Sequence, residues 1–125
     1  MKQMKTIMTV DDSATVRTCL EATLGEAGYR VVQAVDGMDA LQKLQDQAVD
    51  LVVTDLNMPK MDGVELIKTV RSTPGHRFTP ILMLTSESQP ELKQAGKQAG
   101  ASAWVSKPFR PQSLLAVVQM VCPAA

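Results

Sequence analysis

The fold is decided by a stretch in the middle of the chain, residues 51–64, which reads LVVTDLNMPKMDGV. Its first four residues form a near-continuous apolar run, which is typical of a strand that is covered on both faces. The turn signal Asp62-Gly63 follows, and residues 64–72 then place apolar side chains at helical spacing. The stretch therefore predicts a buried strand, a loop and a helix.

The same unit recurs along the chain, because short apolar runs alternate with longer segments of helical period. Such alternation predicts βαβ units and a parallel sheet covered by helices. We predict strands over Thr6–Val10, Arg30–Ala34, Leu51–Thr54, Pro80–Leu84 and Ala103–Val105. We predict helices over Ala14–Ala27, Asp39–Gln47, Val64–Ser72, Gln89–Ala99 and Pro111–Val121.

Length and charge restrict the class of protein. The 125 residues suit one compact domain, and we expect residues 1–125 to form it, with a disordered tail at 123–125. Basic and acidic residues number 13 each, so the formal net charge is zero. Neither nucleic acid nor an anionic membrane is an expected partner. No transmembrane run or signal peptide is recognisable, and we expect a cytoplasmic monomer.

The cysteines and the single histidine offer no obvious chemistry. Cys19 and Cys122 lie in predicted helices without metal-ligand or redox spacing, and we expect both to be reduced and buried. His76 lies in a predicted loop with no second ligand at a useful spacing. We expect it to be exposed to solvent and assign it no function.

Polar side chains follow four of the predicted strands at the point where each strand ends. Ligands bind at the carboxyl ends of the strands in a parallel α/β sheet, so these side chains should lie close together. They are Asp11 and Asp12 after the first strand, Asp55 and Asn57 after the third, Thr85 and Ser86 after the fourth, and Ser106, Lys107 and Pro108 after the fifth.

Three carboxylates at one edge of a sheet would repel each other and be costly to desolvate. A hard divalent cation resolves this conflict, and Mg²⁺ suits oxygen ligands while leaving room for a phosphoryl group. Together with the Lys107 ammonium, Mg²⁺ would offset most of the negative charge of a phosphorylated carboxylate cluster. Asp55 is then the natural nucleophile.

Four segments, in their order and spacing, resemble the receiver domains of two-component response regulators, and especially the single-domain CheY-like receivers of chemotaxis. The segments are Asp11-Asp12, residues 55–63 (DLNMPKMDG), Thr85-Ser86-Glu87 and Lys107-Pro108-Phe109. The resemblance covers nearly the whole chain. It implies a flavodoxin-like (βα)5 three-layer sandwich, whose five-stranded parallel sheet has the strand order 2-1-3-4-5.

The resemblance also assigns the metal ligands. It makes Asp55 the phosphoacceptor and places Asp12 and the backbone carbonyl of Asn57 beside it as ligands of Mg²⁺. Asp11 would support the ion through water. No dinucleotide-binding or P-loop motif occurs in the chain, so Mg²⁺ is the only cofactor that we expect.

The remaining site residues follow from the same resemblance. Thr85 and Lys107 would contact the phosphoryl oxygens, and the Lys107-Pro108 peptide bond is expected to be cis. Trp104 falls at the aromatic switch position, where Tyr or Phe is commoner, and the resemblance implies that it changes rotamer when Thr85 moves. Arg110 departs from the residues that cap a helix well.

The function that this resemblance implies is a signalling switch. A histidine kinase would donate the phosphoryl group, and the surface of the fourth helix, fifth strand and fifth helix would carry the signal to a protein such as a flagellar motor switch component. The chain would catalyse only its own phosphorylation and dephosphorylation. Asn57 and Glu87, each two positions past a site residue, would shorten the lifetime of the signal by helping to position a water molecule.

Three other functions remain open at this point. The chain could be a shuttle receiver in a phosphorelay, or an inert pseudo-receiver, although intact Asp12, Asp55, Thr85 and Lys107 argue against the latter. It could also be a Mg²⁺-dependent phosphatase or phosphotransferase with an aspartyl-phosphate intermediate. Such an enzyme would need a carboxylate as general acid where this chain has Asn57.

Overall fold

A computed structural model describes residues 4–56, 58, 61–86 and 90–124. The strands are β1 (Thr6–Val10), β2 (Arg30–Ala34), β3 (Leu51–Asp55), β4 (Ile81–Ser86) and β5 (Ala103–Lys107). The helices are α1 (Ala14–Glu26), α2 (Gly37–Asp46), α3 (Gly63–Arg71), α4 (Pro90–Ala99) and α5 (Pro111–Val121). None of these helices is both long and apolar enough to cross a membrane.

The strands form a single parallel sheet in the order β2-β1-β3-β4-β5. This order confirms the predicted flavodoxin-like topology. The order reverses at β1, because the chain passes from β1 to β2 on one side and then crosses to β3 on the other. A crevice at such a reversal, beyond the carboxyl ends of the strands, is where ligands bind in sheets of this kind.

Two hydrophobic clusters lie on opposite faces of the sheet and produce three layers. Ile7 and Met8, which are neighbours in β1, belong to different clusters because successive side chains of a strand point to opposite faces. One cluster contains Leu20 of α1 and Leu114 of α5. The other contains side chains of α2, α3 and α4, so the sheet is covered on both faces.

Three of the predicted elements have the predicted bounds, namely β1, β2 and α5. The other three strands end later than predicted, and β4 begins at Ile81 rather than at Pro80. Thr85 pairs with Ser106, and Ser86 pairs with Lys107. The polar residues that end these strands are therefore still part of the sheet, which fixes their backbone positions.

Helix α2 begins two residues earlier than predicted because Asp36 caps it, its carboxylate accepting a hydrogen bond of 2.8 Å from the Asp39 amide. At the start of α5, Arg110 makes no capping hydrogen bond through its side chain, in agreement with the sequence. Gly28 and Gly100, which follow α1 and α4, have positive φ values of 97° and 115°. They are the left-handed residues that end these helices.

Gly96 is buried in the middle of α4 although glycine is unfavourable there. A β-carbon at this position would overlap the sulfur of Met83 on β4 and would lie 3.6 Å from a methyl carbon of Leu56. The absence of a side chain lets α4 approach the sheet closely. Gly96 is therefore a packing residue.

Two sequence predictions were wrong about burial. Cys122 is buried as predicted, but Cys19 is exposed, because it lies one position before the inward-facing Leu20 on α1. His76 was predicted to be exposed and is only 5% exposed. Its loop folds back through hydrogen bonds from the His76 amide to the Thr73 carbonyl and from the Thr79 amide to the His76 carbonyl.

Candidate functional site

Three carboxylates meet at the carboxyl edge of the sheet. Asp11 and Asp12 directly follow β1, and Asp55 is the last residue of the adjacent strand β3. One oxygen atom of each lies within 4.8 Å of the others. Asp11 is buried, Asp12 is exposed and Asp55 is intermediate. The predicted convergence of these residues is therefore confirmed, with both buried and accessible oxygens in one cluster.

Lys107 supplies the counter-charge. Its ammonium nitrogen lies 3.1 Å from Oδ2 of Asp11 and 3.3 Å from Oδ2 of Asp55, so it bridges the two carboxylates. Lys107 is the last residue of β5, and its side chain reaches past the end of β4 to do this. The following peptide bond, Lys107-Pro108, is cis, as predicted.

The surroundings of Lys107 keep it protonated. Burial by itself lowers the pKa of the ammonium group, but the hydrogen bond to Asp11 and the negative charges of Asp55 and Asp11 outweigh it and raise the pKa above its ordinary value. The site therefore holds a positive charge at neutral pH. This charge is available to a phosphoryl oxygen as well as to the two carboxylates.

Asp11 is held from several sides. Its Oδ1 atom accepts a hydrogen bond of 2.9 Å from the Ser13 amide, while Oδ2 faces Lys107. The guanidinium of Arg17 donates to the Asp11 backbone carbonyl at 2.6 Å. Both carboxylate oxygens of Asp11 are thus engaged, whereas Asp12 is exposed. This arrangement favours Asp12 over Asp11 as a direct ligand of a metal ion.

The backbone at Asp55 is packed tightly against the start of α3. The amide of Gly63 donates a hydrogen bond of 3.0 Å to the Leu56 carbonyl. A β-carbon on Gly63 would overlap the Asp55 carbonyl oxygen and would lie 2.6 Å from Cα of Leu56. Sequence reasoning identified Asp62-Gly63 as a turn signal and as the end of the segment 55–63 that carries the family resemblance. The close approach of α3 to the Asp55 backbone had no separate signal in the sequence.

Thr85 and Trp104 occupy different environments. Thr85, near the end of β4, is buried, whereas Trp104 on β5 is 42% exposed. The indole ring lies near two cations of α4, with the ammonium nitrogens of Lys93 and Lys97 at 4.5 Å and 3.8 Å from the ring centroid. The ring is therefore on the outer surface of the molecule and contacts α4.

The two remaining predicted site residues, Asn57 and Glu87, lie outside the described residues.

Beside Lys107 there is a cavity of about 470 Å³, open to solvent, between α1 and the loop that follows β5. It is lined by Thr15, Val16, Cys19, Ser86, Lys107, Pro108 and Phe109. The cavity therefore borders the site at Lys107, and none of the three carboxylates is among its lining residues.

The side-chain atoms that could bind a cation at this edge are carboxylate oxygens, and one ammonium group contacts two of the three carboxylates. A small hard cation fits this set, because Mg²⁺ binds one or two carboxylates and keeps several of its waters. A reacting phosphoryl group would meet both the ammonium and the accessible carboxylate oxygens. The geometry therefore suits phosphoryl chemistry better than redox or acyl-transfer chemistry.

Comparison with known proteins agrees with this geometry. The chain belongs to the response regulator receiver domain family, whose model matches residues 7–119. Among solved structures it is similar to the chemotaxis protein CheY4 of Vibrio cholerae, with a TM-score of 0.90 and 47% identity. That match covers 95% of this chain and 99% of the other. The chain is thus CheY-like as well as a receiver.

Two other matches show the range of proteins that carry this domain. The alkaline phosphatase synthesis regulatory protein PhoP of Bacillus subtilis is 38% identical over 94% of this chain, which spans only 48% of PhoP. The receiver domain of the sensor histidine kinase PA1611 of Pseudomonas aeruginosa has a TM-score of 0.87 and 28% identity, over 95% of this chain and 98% of that one. Its structure contains a magnesium ion coordinated in the active site cleft.

Proposed function

We propose that this protein is a phosphoaccepting response regulator. A histidine kinase transfers a phosphoryl group to Asp55 in a Mg²⁺-dependent reaction, and the surface of α4, β5 and α5 then changes its affinity for a protein target. The observation that carries the proposal is the cluster of Asp11, Asp12 and Asp55, in which the Lys107 ammonium bridges Asp11 and Asp55. Receiver family membership supports the same conclusion.

The metal site of the proposal consists of Asp12, Asp55 and the backbone carbonyl of Asn57, with Asp11 acting through water. These residues would hold Mg²⁺, which would supply positive charge to the phosphoryl oxygens and the carboxylates. The exposure of Asp12 and the engagement of both Asp11 oxygens support this division of roles. The magnesium ion in the active site cleft of the PA1611 receiver structure supports a Mg²⁺ site in the present protein.

The reaction is a displacement at phosphorus. An Asp55 carboxylate oxygen attacks, an oxygen–phosphorus bond forms, the phosphorus–nitrogen bond of the donor phosphohistidine breaks, and the leaving imidazole takes up a proton. Lys107 donates to a phosphoryl oxygen. This contact exists only after transfer and replaces part of the ion pair between Lys107 and Asp55. The buried hydroxyl of Thr85 donates to another phosphoryl oxygen.

Signalling then follows from a shift between two states. Thr85 moves toward the phosphoryl group, Trp104 changes its rotamer, and the surface of α4, β5 and α5 is altered. Asn57 and Glu87 position the water molecule that later hydrolyses the acyl phosphate. The lifetime of the signal is therefore set within the receiver itself.

The proposal treats residues 1–125 as one receiver domain that acts as a cytoplasmic monomer and binds its output protein directly. A component of the flagellar motor switch is the proposed target, which the similarity to a chemotaxis protein supports. The chain is not proposed to turn over an external substrate.

The test uses Trp104, the only tryptophan, as a fluorescent reporter. Wild type, Asp55→Asn and the control Asp46→Asn, an exposed carboxylate at the end of α2, are titrated with beryllofluoride in the presence of Mg²⁺. We expect a saturable change in wild type and in the control, and none in Asp55→Asn. Mass spectrometry after treatment with acetyl phosphate should show one added phosphoryl group in the same two proteins. Modification that persists in Asp55→Asn would contradict the proposal.

A further inference from the structure

The side chains of Lys93 and Lys97 converge on one aromatic ring. The two residues are four positions apart on α4 and therefore lie on the same side of the helix. Both ammonium groups lie close to the indole of Trp104, with Lys97 nearer than Lys93. We name these three residues the lysine clamp.

The arrangement carries a cost that only the ring offsets. Two like charges at this spacing on a helix repel each other and destabilise the arrangement. In the part of the chain that the structure describes, neither ammonium forms an ion pair with a carboxylate. The indole face, the strongest aromatic partner for a cation, is thus the group that holds both lysines in place.

The lysine clamp favours one position of the Trp104 ring over others. Trp104 is 42% exposed, and both of the cations that contact its ring belong to the same helix. Movement of the ring toward the buried side of β5 would separate it from both ammonium groups at once. A contact that exists in only one of two conformations shifts the equilibrium toward that conformation.

We propose that Lys93 and Lys97 are positioning residues that hold Trp104 in its outward rotamer and so set the threshold of the switch. This inference rests on the proposed function in one respect, namely that the inward movement of Trp104 accompanies phosphorylation. The clamp makes the resting state more populated. It also makes activation depend on the charge of α4, which carries no other cation.

The experiment measures the χ1 rotamer populations of Trp104 by three-bond NMR couplings in the absence of any phosphoryl analogue. The proteins are wild type, the pair Lys93→Gln/Lys97→Gln, the pair Lys93→Arg/Lys97→Arg, and the control Lys68→Gln, an exposed lysine on α3. Loss of two cation–π contacts should raise the odds of other rotamers by about fivefold to thirtyfold in the glutamine pair. The arginine pair and the control should match wild type.

A second measurement links the clamp to the switch. The glutamine pair should respond at a severalfold lower beryllofluoride concentration than wild type, because less of the binding free energy is used to release the ring. Rotamer odds that are equal in wild type and in the glutamine pair would overturn the proposal, and so would an unchanged beryllofluoride midpoint. A wild-type protein without any response to beryllofluoride would overturn the proposed function instead, while the rotamer odds would still decide whether the lysines hold the ring.

Discussion

The two edges of the sheet differ in the partners of their polar groups. At the carboxyl edge, carboxylates and an ammonium face one another, as Lys107 bridges Asp11 and Asp55. At the amino edge, the guanidinium of Arg71 donates to backbone carbonyls at 2.6 Å to Thr79, 2.8 Å to Gly100 and 3.3 Å to Arg77.

The difference shows that one small domain keeps polar groups that can change partners at one edge and polar groups with fixed partners at the other. Side-chain charges at the carboxyl edge can exchange partners, since a metal ion or a phosphoryl group can replace one charge with another. Backbone carbonyls at the amino edge cannot leave their strands and loops. The hydrogen bonds of Arg71 therefore tie the end of α3 to the segments that lead into β4 and β5.

The largest expected effect is at the carboxyl edge, where Gly63→Ala would press a methyl group into the backbone of Asp55 and Leu56. We expect a loss of about 3 kcal/mol in the free energy of unfolding and a strongly reduced response to beryllofluoride. Urea denaturation and Trp104 fluorescence measure these two quantities.

The matched control is Gly25→Ala. Gly25 is exposed in α1, and a β-carbon added there would meet no other part of the protein within 4 Å, so this variant should gain about 0.5–1 kcal/mol. Equal stabilities for the two variants would show that the contact between α3 and the Asp55 backbone is loose.

At the amino edge, Arg71→Met should lower the free energy of unfolding by about 2 kcal/mol, because several carbonyls lose their donor. Arg71→Lys should restore little of this, since an ammonium cannot reproduce the guanidinium fork. The beryllofluoride midpoint of the folded protein should be unchanged in both. A shifted midpoint would mean that the two edges are coupled, and it would break the separation described above.

His76 should give a smaller effect of opposite sign. Its two ring nitrogens are buried and have no hydrogen-bond partner among the described residues. His76→Leu removes both polar atoms from a buried position, and we expect a gain of about 1 kcal/mol in thermal or urea denaturation. A loss of similar size would indicate that the imidazole is satisfied by water.

The smallest effect concerns alkaline pH. The pKa of Lys107 in the folded protein is raised above that of the unfolded chain because its contacts with Asp11 and Asp55 outweigh the effect of burial. Its contribution to stability is therefore complete below the unfolded pKa and is lost as the pH rises through the folded pKa. Lys107→Met should show a shallower decline in stability above about pH 10. A decline as steep as that of wild type would assign the alkaline transition to other groups.

Much of the architecture follows from patterns in the sequence. A strand covered on both faces must be apolar along most of its length, which made β1 recognisable to the residue. The edge strand β2 was also predicted to the residue, although Ala34 is its only buried residue. The ends of β4 and β5 were placed too early, because Ser86 and Lys107 are polar and yet remain paired in the sheet. An apolar run indicates burial rather than backbone pairing. The two differ at the strand ends that contribute polar residues to the site.

The site was predictable for a related reason. Parallel topology brings the ends of β1, β3 and β5 to one edge, so Asp11, Asp55 and Lys107 could be expected to meet. The burial of His76 and the contact of Gly63 with the Asp55 backbone could not, because they depend on how a loop folds back and how closely a helix approaches. Likewise, the lysine clamp depends on the rotation of α4 about its axis.

The seating of α4 on Gly96 bears on how this surface can move. Where a β-carbon would otherwise stand, the helix meets the thioether of Met83, a side chain with three rotatable bonds and no directional polar contact to break. Because Met83 can change its rotamer, this contact allows small tilts of α4 at little energetic cost. The close packing at Gly96 excludes large displacements of the helix. A protein that bound α4, as proposed above, would therefore meet a helix that can adjust its tilt on a rigid sheet.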